Sequence, residues 1–277
     1  MIPGTEPGAP SWDPRAVWAR QVTAHRALEV VARTFEEAGI ETLAVKGVVT
    51  ASLLYEDATE RPMGDVDIRV RPEDFERAGR VARDAGWQIG EWKPAYKAFV
   101  VNMDGLGMDV ESCIGAPGLC ALSIAEMLSR ATRGALGVDV RVPELHDHAV
   151  LLCVNVFKDK FALAFPWSLE DVRRIVELDE FDEDRFVERA RRAKIACIAW
   201  IVADWMAREK GSAGWASVKA KLGGERAPRP LYAWAFRKLQ ERAPESLATR
   251  LLARAAPDDV GMRVAGLVTA VTFEMGE

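Results

Sequence analysis

Asp65-Val66-Asp67 opens a short apolar run, and alternation along a strand sends both carboxylates to one face while Val66 faces the other. Like charges that close repel. They are tolerated at a strand start either as two solvated acids or as ligands of a divalent cation, and two converging carboxylates form the oxygen-rich setting that Mg²⁺ selects. Asp109 lies in a second alternating run, Met108-Asp109-Val110-Glu111, and a strand there could lie beside the first with Asp109 facing the same point. Three carboxylates make a two-metal site possible, in which one cation lowers the pKa of an attacking hydroxyl and the other neutralises a departing pyrophosphate. Glu111 shares the face of Asp109, and reads as an ordinary exposed acid in preference to an outer base.

Lys46-Gly47 stands where the apolar run Thr42-Leu43-Ala44-Val45 feeds a helix-like segment. A glycine there lets the backbone approach a phosphate, and the helix N-terminus adds positive potential; the plainer roles are a turn and a strand cap. Neither a P-loop nor a Rossmann fingerprint is present. His146-Asp147-His148 is an HD dipeptide on a helical pattern, but His25 is the only other histidine, too few for a phosphohydrolase of that type. Lys158 ends the same pattern, either as a solvated charge or, if the helical half closes over a nucleotide, as a phosphate ligand. Among nine tryptophans, Trp200 and Trp205 sit in an apolar helix and read as core; Trp92 and Trp167 are open.

The elements that must position these residues follow from periodicity. Asp13-Pro14 starts a helix that Gly39 stops; strands are expected over 42–45, 65–70, 87–90, 98–101 and 108–112, with helices over 48–55 and 73–85 between them and a turn at Asp104-Gly105. Beyond Pro117 the pattern is mostly helical, over 144–157, 168–178, 183–193, 195–208, 231–242 and 247–255, with one strand over 137–142 and an apolar closing helix or strand over 264–273. Ser168 with Asp171, and Asp179 or Asp182, supply N-caps. The fold class is therefore α+β: a flexible leader over 1–13, a mixed-sheet lobe over 14–142 and a helical lobe over 143–277.

Composition narrows the function. The 277 residues carry 37 basic and 42 acidic side chains, a net charge of −5, which argues against a broadly basic nucleic-acid surface. Four scattered cysteines fit buried thiols in a reducing compartment, and no apolar run is long enough to span a membrane, so a soluble cytoplasmic protein is expected.

The ordered run Leu43-Ala44-Val45-Lys46-Gly47, Leu54-Tyr55, Arg61-Pro62-Met63-Gly64-Asp65-Val66-Asp67-Ile68, Arg71-Pro72-Glu73-Asp74 and Ala85-Gly86-Trp87 resembles the uncharacterised nucleotidyltransferase family of the DNA polymerase β-like superfamily. The resemblance continues more weakly through Asp109 and over the helical segment 145–206. It implies a nucleotidyltransferase-like lobe that moves a nucleoside monophosphate from an NTP donor to a hydroxyl, with Asp65, Asp67 and Asp109 as ligands of Mg²⁺ or Mn²⁺ and as the catalytic acids. Gly47 would be the phosphate-side glycine and Lys46 and Arg61 the triphosphate cations, although Arg61 equally suits a loop ion pair. The acceptor it implies is a small molecule or a protein in preference to tRNA, given the acidic balance; oligomeric state is not readable. The alternative is a non-catalytic nucleotide-binding or scaffolding relative, since three positions depart from the family pattern. Val48 replaces a serine, Arg69 replaces an aliphatic residue on the acidic face, and Asp109-Val110-Glu111-Ser112 replaces D-x-H-W.

Overall fold

The computed structural model describes residues 13–93, 97–103, 105–159, 161, 164–223 and 229–273. Residues 1–12 of the expected leader, Asp104 of the expected turn and the last four residues lie outside them. The architecture is α+β, with a mixed sheet and helices on both of its faces. Its seven strands are β1 (Leu43–Val45), β2 (Asp65–Arg69), β3 (Gln88–Lys93), β4 (Ala98–Met103), β5 (Leu106–Glu111), β6 (Thr132–Arg133) and β7 (Arg141–Val142), in the order β3-β4-β5-β2-β1-β7-β6.

Alternation decides which helices cover which face. Val66 and Ile68 of β2, Met108 and Val110 of β5 and Ala44 of β1 point to one side, where α1 (Pro14–Glu37) lays Ala24, Leu28, Val31 and Phe35 against them. α1 starts as expected, with the Asp13 side chain accepting from the Arg15 N–H and Pro14 in the first turn. α3 (Phe75–Asp84) closes the same side. Phe75 and Phe99 meet Trp92 there at ring separations of 4.9 and 5.1 Å, which packs the half-buried Trp92 against the core.

The opposite face begins with Leu43 and Val45 of β1, which pack into the helical half. Its central member is α5 (Leu145–Lys158), apolar nearly all round and packed against α6 (Pro166–Ile175), α7 (Glu183–Arg192) and α8 (Ala196–Glu209), with α9 (Ala213–Leu222) against α7 and α8. Asp67 and Asp109 lie on this same face, farther along the sheet, so the helical half ends beside them. Within each strand, the residues that alternate with the acids bury the sheet against α1.

Several elements differ from the sequence reading. The strand expected over 137–142 shrinks to β7, which pairs with β6, a two-residue strand too short for a periodicity signal. α4 (Ile124–Arg130) starts with a capping box of Ser123 and Glu126, and α9 with a Ser212 cap; both fall in stretches of mixed polarity. α6 starts two residues early because Pro166 occupies its first turn, so Ser168 and Asp171 are not its cap. The chain closes with α10 (Arg229–Arg242), α11 (Leu247–Arg254) and α12 (Val260–Phe273). Among the described residues no helix is long and apolar enough to cross a membrane.

Candidate active site

β2 and β5 run parallel in a register that sets Asp67 opposite Asp109 and Arg69 opposite Glu111. Paired residues share a face, so four charged side chains converge. Carboxylate oxygens of Asp67, Asp109 and Glu111 all lie within 4.8 Å of one another. Asp65, opposite Gly107 at the exposed start of β2, is outside that close group but within electrostatic reach of Asp67. The expected trio of Asp65, Asp67 and Asp109 thus shares one face, while the tightest grouping takes Glu111 in place of Asp65. Glu111 is also not the solvated acid expected: only 27% of its side chain is exposed, and it holds Arg69 Nη2 at 2.5 Å.

The electrostatics divide the acids. Burial pushes the Asp109 carboxyl up to about 6, and repulsion from Asp67, Asp65 and Glu111 adds to it. Asp65 is raised for the same reasons, burial first and then Asp67. Burial pushes Asp67 the same way, but Lys46 and Arg69 outweigh it and hold its carboxyl below the usual range. The result is one firmly ionised carboxylate beside two that hold protons more readily.

Lys46 is the principal counter-charge, with Nζ 2.5 Å from Asp67 Oδ1. Its backbone, at φ 55° and ψ −130°, is a conformation L-residues rarely adopt and costs about 1–3 kcal/mol. Three hydrogen bonds hold it there. The Lys46 N–H donates to His148 Nε2 at 3.1 Å, and the Lys46 carbonyl accepts from the N–H groups of Val49 and Thr50 at 2.9 and 2.7 Å in the first turn of α2 (Gly47–Leu53). Burial, with Arg61 adding, lowers the His148 pKa to about 4, so its ring is neutral and Nε2 is free to accept. The HD run is accordingly structural: His146 bridges Glu144 and the Asp182 N–H, and Asp147 pairs with Arg130 and Arg189.

Gly47 makes the close approach expected of it, but to a protein group. A Cβ there would stand 2.9 Å from Arg61 Nη1 and 3.2 Å from Met63 Cγ. Arg61 is buried, with Nη2 2.7 Å from Asp171 Oδ2 and Nη1 donating to the Pro62 carbonyl, so its charge is paired within the protein. Asp171 also accepts from Thr50 Oγ1 and from Tyr55 Oη, both at 2.9 Å. This carboxylate on α6 ties the Lys46-Gly47 turn and the loop before β2 to the helical half. Its type and position gave no sign of that beyond an acid inside an amphipathic helix. Lys158, at the end of α5, pairs with Asp159 at 2.8 Å and also acts electrostatically on Asp67. Val48 is fully buried in the core beneath α1.

Arg69 and Glu111, two of the departures from the family pattern, are each other's partners across β2 and β5. Arg69 is fully buried; it lies 2.5 Å from Glu111 but 3.8 Å from Asp67, so Glu111 takes the larger share of its charge. The guanidinium is thus within ion-pair reach of two of the three clustered acids, nearer Glu111 than Asp67.

The sequence model of one family, described as an uncharacterised nucleotidyltransferase, matches residues 13–209. No protein of curated function matches the chain. Among solved structures, the chain is similar to the antibiotic-resistance factor ANT(2'')-Ia in solution, at 12% identity over 80% of this chain and 100% of that one, with a TM-score of 0.43. The crystal structure of ANT(2'')-Ia with adenylyl-2''-tobramycin gives 14%, 73%, 99% and 0.38. A tRNA nucleotidyltransferase complexed with a primer tRNA and an incoming ATP analogue gives 15%, 89%, 99% and 0.27.

Two outcomes follow from these charges. A carboxyl whose folded pKa lies above its unfolded value destabilises the fold as pH rises from about 4 to about 6, because the folded state binds the proton more tightly. Asp109→Asn removes that penalty, so in metal-free buffer the variant should melt above wild type at pH 7 and with it at pH 4; a lower melting temperature at pH 7 contradicts the assignment. Glu111→Gln leaves Arg69 buried without its nearest counter-charge and should cost about 2 kcal/mol in urea unfolding, whereas Arg69→Met combined with Glu111→Gln should return to within about 1 kcal/mol of wild type. Additive losses would show that the two side chains do not act as a pair.

Proposed function

The chain belongs to the uncharacterised nucleotidyltransferase family, and from that premise we propose that it transfers a nucleoside monophosphate from an NTP to a hydroxyl of an acceptor, at the face of β2 and β5 that carries Asp65, Asp67 and Asp109. The observation that carries the reading is a charge imbalance. Among the described residues the ion pairs within 4 Å of Asp65, Asp67, Asp109 and Glu111 come from Lys46 and Arg69, so two of the four acids have no directly paired cation on a face of oxygen donors. That is the charge of one divalent cation, and hard oxygen ligands suit Mg²⁺ or Mn²⁺.

Asp67 and Asp109 are the proposed metal ligands nearest each other, with Asp65 beside Asp67 at the open end of the strand. A bound cation would supply charge neutralisation for the triphosphate and a lowered pKa for the attacking hydroxyl. Asp109, whose carboxyl holds a proton up to about pH 6, is suited to take the proton from that hydroxyl at neutral pH. Lys46 and Lys158 are the cations left for the phosphates, Lys46 by moving its Nζ off Asp67 and Lys158 from the partly exposed end of α5. Residues 14–142 would form the catalytic lobe and 143–277 the helical lobe that holds it in shape through His148 and Asp171. The net charge of −5 favours a small molecule or a protein over tRNA as acceptor.

One observation favours the second reading, a nucleotide-binding scaffold: Lys46 and Arg69 already supply Asp67 with counter-charge. The two separate in a single assay. Incubation with the four NTPs labelled at the α-phosphate, Mg²⁺ and a cell extract should label an acceptor, and Asp67→Asn should reduce labelling by about 10³-fold while circular dichroism shows the fold retained. Absence of label with wild type, or undiminished label with Asp67→Asn, contradicts the transferase and leaves the scaffold.

A further inference from the structure

Away from the acids, α8, α9 and α10 surround a cavity of about 260 Å³ whose walls include Trp200, Asp204, Arg208, Lys219, Trp234 and Arg237. Its charges do not balance. Asp204 is the single acid among those side chains, and it is shared between Arg208 Nη2 at 2.5 Å and Lys219 Nζ at 2.9 Å. Arg237, on α10, makes no ion pair within 4 Å among the described residues, so three cations face one carboxylate in a chain that is acidic overall. The remaining walls are flat and apolar. Trp234 is exposed, and Trp200 is 3% exposed, with Lys219 Nζ 5.2 Å from its ring centroid. The Trp200 Nε1–H is buried and donates to no group, although a buried indole N–H nearly always finds an acceptor.

We infer that this cavity is a second binding site, independent of the sheet, for a planar aromatic anion of the mononucleotide class. The exposed Trp234 offers a stacking surface beside the buried Trp200, and Arg208, Lys219 and Arg237 supply the charge that a phosphate would neutralise. A volume near 260 Å³ suits one small ligand of this kind and no larger polymer. The inference does not depend on the transferase reading, because no chemistry on the ligand is involved.

Calorimetry on the full chain in EDTA tests it, with AMP, adenosine and inorganic phosphate as probes, since removal of divalent cations disfavours a metal-dependent sheet site. AMP should bind one to one with a Kd below about 1 mM, and adenosine or phosphate alone at least about tenfold more weakly. Arg237→Ala and Trp234→Ala, both at accessible positions, should each weaken AMP at least about fivefold with unchanged melting temperature, and Asp67→Asn should bind AMP as wild type does. No AMP binding by wild type, equal binding by both cavity variants, or loss of binding in Asp67→Asn would each overturn the assignment.

Discussion

Asp67 must stay ionised while buried, and much of the surrounding structure answers that one requirement. Desolvation pushes its proton affinity up; Lys46 at 2.5 Å and the more distant Arg69 bring it down. The lysine reaches Asp67 from a backbone conformation that would relax if unsupported. His148 accepts its N–H, and the start of α2 holds its carbonyl. A neutral, fully buried histidine from the helical half is thus part of what aims a cation at an acid on the sheet.

The same logic extends outward to Asp171. One carboxylate gathers Thr50, Tyr55 and Arg61, and Arg61 in turn occupies the space that the missing side chain of Gly47 leaves. Two contacts from the helical half, through His148 and Asp171, therefore hold the short turn between β1 and α2. A turn fixed in this way presents Lys46 to the acids with little freedom, which is the preorganisation that electrostatic catalysis of phosphoryl transfer requires.

The acids on the sheet were legible because their signal is local: alternation alone keeps Asp65 with Asp67, and Asp109 with Glu111, on one side of their strands, and the parallel register of β2 with β5 brings the two pairs to the same face. The helical half was legible as helices, α5 and α8 most plainly, from apolar periodicity. What escaped depends on pairing across long sequence separations. Glu111 resembled any solvated strand-end acid until Arg69 came to lie opposite; Arg61 and Asp171 are 110 positions apart. His148 looked like half of a metal motif, and only its burial and the Lys46 N–H beside it show otherwise. Short elements such as β6 and α4 were missed because two or seven residues hold too little periodicity to read.

The departures from the family pattern also gain a physical meaning. An arginine on the acid face competes with a cation for Asp67, and the glutamate opposite it on the neighbouring strand holds it closer than Asp67 does. What remains is an acid face on which, among the described residues, Asp65 and Asp109 have no ion-pair partner within 4 Å. The most direct measurement of that claim is a titration with Mn²⁺ followed by electron paramagnetic resonance, on wild type and on Asp67→Asn with Asp109→Asn. The account predicts that wild type removes free Mn²⁺ from solution with a Kd at or below about 1 mM and that the double variant binds at least about tenfold more weakly. Equal Mn²⁺ uptake by both proteins, or none by wild type, would contradict it.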